Sequence, residues 1–144
     1  MRKKLFAGLA IALLLGGCAA QQGTTRSNER PEVEVAGDTI QRVAPNPLRF
    51  KFGNGAVVIV WHLKDKNYSF PADGITIDGV LDRSGGKITG PARDQFEDCR
   101  PLGQGQQYQC KFLNSRKGVY KYTVRVLRNG QALKPFDPEI TNLD

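Results

Sequence analysis

The chain reads as all-β, a small antiparallel β-sandwich of about seven strands, and three observations carry that reading. Apolar and polar residues alternate with a period of two in several stretches, a β-branched run fills 56–63, and closely spaced turn signals cut the rest into short pieces. Such spacing is the mark of strands joined by tight turns.

Glu32-Val33-Glu34-Val35 alternates strictly, and Leu48-Arg49-Phe50-Lys51-Phe52 alternates again, so each puts one face on a core. The run AVVIVWHL, Ala56 to Leu63, is apolar almost throughout and suits a central strand covered on both faces. Trp61 in it is placed as a core residue, and His62 then faces the other way. From Tyr120 to Val126 the tyrosines and valines share one side while Lys121, Thr123 and Arg125 share the other. Asn129-Gly130 follows, a dipeptide suited to the positive φ angles of a type I′ hairpin turn, and the return strand runs through Ala132 and Leu133 to Pro135. Further turns are expected at Gly53-Asn54-Gly55, Asp73-Gly74, Asp78-Gly79 and Ser84-Gly85-Gly86.

The N-terminal segment has a different grammar. Met1-Arg2-Lys3-Lys4 is positive, Leu5 to Leu15 is apolar and uncharged, and Gly16-Gly17-Cys18 follows at once. That is the layout of an export signal, and the run is too short for a bilayer core that needs roughly 20 helical residues. The quartet Leu15-Gly16-Gly17-Cys18 resembles the lipobox of bacterial lipoproteins. The resemblance implies removal of residues 1–17, a covalent lipid on Cys18, and attachment to a membrane through that lipid. It also implies placement in the outer membrane, facing the periplasm, because Ala19 stands where an aspartate tends to hold such proteins at the inner membrane. Residues 18–31, polar and without apolar periodicity, read as a lipidated flexible tether, and 32–144 as the sandwich domain.

Loss of Arg2, Lys3 and Lys4 takes Lys+Arg from 21 to 18 against 14 Asp+Glu, so the net charge falls from +7 to +4. With Cys18 acylated, Cys99 and Cys110 are an even pair for a disulfide in an oxidising compartment. The Gly118 to Val124 passage and the core-like Trp61 resemble immunoglobulin-like or cupredoxin-like Greek-key sandwiches. Both cysteines follow the tryptophan, a departure from true immunoglobulin domains.

Catalytic and metal constellations are wanting. A blue-copper site needs two histidines and a thiolate, and His62 is the sole histidine. Asp65-Lys66-Asn67-Tyr68-Ser69 begins like a calcium loop but then places Phe70 and Thr76 where glycine and glutamate are required. Gly103-Gln104-Gly105 is not continued as a nucleotide-binding loop. No serine among Ser69, Ser84 and Ser115 sits in a nucleophile elbow, and Asp94, Glu97 and Asp98 read as an exposed acidic turn. No enzyme activity, metal or cofactor beyond the lipid is expected.

Charge placement remains. Seven basic residues and no acidic one lie between Lys111 and Lys134, so Arg116, Lys117, Lys121, Arg125 and Arg128 are candidates for contact with an anionic partner. Lipopolysaccharide or phospholipid phosphates, peptidoglycan carboxylates, or an acidic envelope protein would suit; nucleic acid is disfavoured by compartment. The reading is a non-enzymatic outer-membrane lipoprotein presenting a β-sandwich interaction domain. The alternative is a periplasmic small-ligand-binding or enzyme-inhibitor module that presents the Cys99–Cys110 loop as a finger.

Overall fold

The apolar run at 56–63 becomes β5 (Val57–Leu63), the central strand of the larger sheet. The structure, a computed structural model, describes residues 26–82 and 86–143. Before β5 come β1 (Arg26–Glu29), β2 (Glu32–Ala36), β3 (Thr39–Ala44) and β4 (Leu48–Arg49). After it come β6 (Tyr68–Ser69), β7 (Ile75–Leu81), β8 (Ile88–Gly90), β9 (Phe96–Leu102) and β10 (Gln107–Phe112). The last four are β11 (Val119–Val124), β12 (Leu127–Arg128), β13 (Gln131–Ala132) and β14 (Glu139–Thr141). Two layers form: β3-β2-β5-β10-β9, with β1 also alongside β5, and β4-β14-β11-β7-β8. A small ribbon, β13-β12-β6, closes one end.

The all-β sandwich with one disulfide is therefore what the chain adopts, with more and shorter strands than expected. Leu48–Phe52 contributes only two strand residues, although the Phe50 amide still donates to the Thr141 carbonyl at 2.8 Å. Most pairings are antiparallel, but β1 and β2 run parallel to β5, and β4 parallel to β14. The strand begins at Arg26, inside the stretch read as tether, because the backbone of 26–29 pairs with Val57 to Ile59. Residues 18–25, the rest of the stretch read as tether, lie outside the described residues.

β5 corrects a second expectation. Val57, Ile59, Trp61 and Leu63 are buried, but Val58, Val60 and His62 are half-buried, so only one face carries the second sheet. The other is shielded by neighbours such as Gln107, Gln109 and Lys111 on β10, which are paired with His62, Val60 and Val58. Asp78-Gly79 is no turn but part of β7. A β-carbon at Gly79 would lie 2.6 Å from the Gly90 carbonyl oxygen, so glycine there permits close approach of β8.

Between the layers the core is aromatic. Trp61, Tyr108, Phe112, Tyr120 and Tyr122 are all essentially inaccessible. Phe96 stacks on Phe112 at 4.9 Å between centroids, and Phe50 and Tyr120 meet Phe112 at 5.4 Å each. The Trp61 indole N–H donates to the Tyr122 hydroxyl at 3.2 Å, and burial pushes that phenol far above its ordinary range. Asn129 (φ 49°) and Gly130 (φ 81°) take the two positive angles of the expected hairpin turn between β12 and β13.

Cys99 and Cys110 are joined, on the adjacent strands β9 and β10. The bond closes a loop of about 12 residues, for which the chain-entropy relation gives roughly 3 kcal/mol. Cys99→Ser with Cys110→Ser is accordingly expected to lower the unfolding free energy by about 2–3 kcal/mol in urea titration. Equal stability of the two forms would mean that the β9–β10 hairpin is already closed in the unfolded chain.

Candidate functional site

The five basic residues close in sequence do not form one patch. Arg116 and Lys117 lie in the loop between β10 and β11. Lys121 is on β11, Arg125 immediately follows it, and Arg128 stands on β12. Four of the five meet a carboxylate from elsewhere in the chain. Arg116 lies 3.1 Å from Asp94, Arg128 3.0 Å from Asp38, Lys121 3.7 Å from Asp137 and Arg125 3.8 Å from Asp73. Lys111 is likewise 3.0 Å from Glu97. The hydrogen bond to Asp38 raises the Arg128 pKa above its ordinary value. Lys117 is different: its Nζ sits 5.2 Å from the centre of the Phe52 ring, within cation–π range.

On the outer face of β11, Thr123 is buried and its hydroxyl bonds both Asp78, at 2.8 Å, and Asp137, at 3.1 Å. Arg125 donates to the Thr76 hydroxyl at 2.7 Å. That face is thus a mixed-charge lattice of internally paired groups, a poor source of unbalanced positive potential.

The Cys99–Cys110 loop is not a free finger. Within the β9–β10 hairpin the Gly105 carbonyl accepts from the Phe70 amide at 2.7 Å, and the Gln106 side-chain amide donates to the Tyr68 carbonyl at 2.7 Å. Tyr108 is buried against Phe70. Between Pro101 and Cys110 only Gly103 and Gln104, at the tip, are exposed.

His62 lies on the outer side of β5, paired with Gln107 on one edge and Glu32 on the other. Its Nε2 is buried without a hydrogen-bond partner, and its pKa is lowered by desolvation and then by the charge of Arg30. Ser115, one of the three serines considered, is bonded through its hydroxyl to Gln95 at 3.1 Å; Ser84 lies outside the described residues. The Asp65 stretch forms an Asx turn, with the Asn67 amide 2.9 Å from the Asp65 carboxylate. Among the described residues no group of three or more His, Cys, Asp or Glu side chains could hold a metal ion. Cys18 and the signal lie outside them.

A second constellation emerges at one end of the sandwich. Arg26 and Phe112 are both in register with Val57, and Phe112 with Phe96, so β1 starts where β5 starts, β10 ends and β9 starts. In the other sheet Val119 is in register with Leu81 and Thr141, Leu81 with Ile88, and Thr141 with Arg49. The Phe50–Phe112 contact and the Phe50–Thr141 hydrogen bond join these two sheet ends into one pole.

The loops of this pole are held from below. The Asn114 side-chain amide donates to the carbonyls of Lys51, at 2.8 Å, and Gly55, at 3.3 Å. Asn142 donates to Asn114 Oδ1 and to the Arg116 carbonyl, both at 2.9 Å, and accepts the Gly118 amide at 2.8 Å. Both asparagines are almost wholly buried. The Tyr120 hydroxyl also donates to the Arg116 carbonyl.

Exposed at the same pole are Arg49, Lys51, Lys87, Arg93 and Lys117, none of them within 4 Å of a carboxylate among the described residues. The acidic groups nearby are engaged: Asp94 by Arg116, Glu97 by Lys111, and Asp82 by the Gly86 amide at 3.1 Å. Ile88 and Leu143, the two large apolar side chains that stand exposed among the described residues, are here as well. Of this set the sequence reading singled out only Lys117. Phe52 between Lys51 and a glycine-asparagine-glycine turn is the local signal that could have marked it, an aromatic ring at the end of its alternating stretch that is left half-buried because β4 stops at Arg49.

No protein-family model matches the chain, and no curated protein matches it.

Proposed function

We propose that the protein is a non-enzymatic lipoprotein of the bacterial envelope, anchored through a lipid on Cys18 and presenting a disulfide-closed β-sandwich at the membrane surface. The observation that carries this reading is the quartet Leu15-Gly16-Gly17-Cys18 placed directly behind an uncharged apolar run. The cysteine inventory supports it: of three cysteines, Cys99 and Cys110 are bonded to each other, which leaves Cys18 free for modification. Their disulfide suits an oxidising compartment reached by export. Lipidation with more than one acyl chain gives lasting attachment, since each buried methylene contributes about 0.8 kcal/mol and a single chain binds only marginally. Outer-membrane residence follows from Ala19 in the same resemblance.

Cys18→Ser is expected to abolish incorporation of labelled palmitate and to leave an unprocessed chain about two kilodaltons larger, by the mass of the retained 17-residue signal. The check is metabolic labelling followed by gel separation. Label retained by the serine variant would sink the anchor.

A further inference from the structure

The end of the sandwich where five cations have no carboxylate within 4 Å among the described residues is also the end at which the described chain begins, at Arg26, eight residues after Cys18. β1 runs parallel to β5, with Arg26 beside Val57 and Glu29 beside Ile59, and β2 continues in the same direction with Glu32 beside His62. Followed backward, β1 therefore runs toward the pole built from the loops at 50–56 and 113–118 and reaches it at Arg26. From Cys18 to Arg26 is eight residues of chain, at most about 28 Å when extended. The opposite pole, with the Gly37-Asp38 turn and the Asn129-Gly130 hairpin, lies beyond the far end of β5, itself roughly 20 Å long. A lipid on Cys18 thus has a short reach to the near pole and little slack to present the far one.

Chemistry separates the poles in the same sense. At the far pole Arg128 is paired with Asp38 and Arg125 with Asp73, and Lys64 lies 2.6 Å from Glu32, while exposed Lys66 and Lys134 have no carboxylate within 4 Å among the described residues, two such cations against five at the near pole. At the near pole five cations have no carboxylate within 4 Å among the described residues and lie around exposed Ile88 and Leu143 and the half-buried Phe52 ring. Cations flanking exposed apolar and aromatic side chains are the pattern of a surface that rests in the headgroup region, where phosphates receive the charge and apolar groups reach the acyl boundary. Attraction of this kind acts over about one Debye length, roughly 8 Å at physiological ionic strength, so it needs the surface held close. The lipid supplies that proximity.

We propose that this pole docks on the anionic phospholipid headgroup surface of the leaflet that holds the Cys18 lipid, with Lys51, Lys117 and Phe52 at the centre of the contact. The proposal rests on the lipid-anchor reading above and adds to it an orientation: the Asn129-Gly130 end points away from the membrane and is the end offered to other molecules.

The test uses the full lipidated chain reconstituted into vesicles of phosphatidylethanolamine and phosphatidylglycerol carrying brominated acyl chains. Trp61 is the only native tryptophan and is fully buried, so it gives a constant background. Phe52→Trp reports the near pole and Gln131→Trp the far one. Docking predicts quenching about threefold or more stronger at position 52 than at 131, and a fall to the far-pole level when Lys51→Glu and Lys117→Glu are added. Equal quenching at both positions in protein that floats with the vesicles overturns the docking and leaves the anchor standing. Failure of the wild-type chain to float overturns both. A dimer that shields position 52 without bilayer quenching overturns the docking and assigns the face to a second copy. Quenching indifferent to the two charge reversals, and equally strong in phosphatidylcholine alone, overturns the anionic headgroup as the occupant.

Discussion

Trp61→Ala is expected to lower the unfolding free energy by about 3–5 kcal/mol, the range for deleting a large aromatic from a packed core. The indole is fully inaccessible, on the inward face of β5. It meets the Tyr122 ring at 5.5 Å between centroids and donates its N–H to the Tyr122 hydroxyl. Alanine forfeits the transfer energy of the ring, leaves a void that the sheets close only in part, and strands a phenol that is 0 % exposed. Against a total stability of about 5–15 kcal/mol for a domain, the loss removes about a fifth at least and, at the lower end of that range, most or all of it. Urea unfolding followed by circular dichroism measures it, since the variant has no tryptophan left to report. Val58→Ala, on the half-buried face of the same strand, serves as the comparison and should cost about 1 kcal/mol. Equal losses at the two positions would mean that the outer face of β5 is covered as fully as the inner one.

That comparison shows where the sequence was legible. Period-two alternation located strands and told inward from outward positions at Tyr120, Tyr122 and Val124, because side-chain direction in a strand is a local property. The Asn129-Gly130 turn was legible for the same reason, two adjacent residues meeting one backbone requirement. The uniform apolarity of 56–63 misled, because composition reports what a strand tolerates rather than what its neighbours cover. Charge misled more. Lys111 to Lys134 is basic as a string, yet Arg128 finds Asp38 at a separation of 90 residues and Arg125 finds Asp73 at 52. Sandwich topology folds distant carboxylates back on five of the seven, Lys117 and Lys134 being the two with none within 4 Å among the described residues, and the other near-pole cations, Arg49, Lys51, Lys87 and Arg93, come from segments whose charge was unremarkable in sequence. Pairings of that kind are set by which strands become neighbours, and register across sheets is not encoded in any short window.

Asn142→Leu is expected to lower stability by about 2–4 kcal/mol even though it places an apolar side chain of similar size in a buried site. The native amide satisfies three groups at once: the Gly118 N–H, Asn114 Oδ1 and the Arg116 carbonyl. Leucine answers none of them, and each buried polar group left without a partner costs about 1–3 kcal/mol. The sum is reduced because the Arg116 carbonyl keeps the Tyr120 hydroxyl. The same residue ties the loop at 113–118 to the C-terminal strand, while Asn114 ties that loop to the carbonyls of Lys51 and Gly55. The network therefore does more than contribute stability: it sets the positions of Lys117, Phe52 and Lys51 relative to one another. Hydrogen exchange should register this as faster exchange of the Gly118 amide by at least about tenfold, with the Cys99–Cys110 hairpin unchanged. A destabilisation below about 1 kcal/mol, with Gly118 still protected, would show that water replaces the asparagine at no cost and that the pole owes its shape to the aromatic cluster of Phe50, Phe96, Phe112 and Tyr120 beneath it.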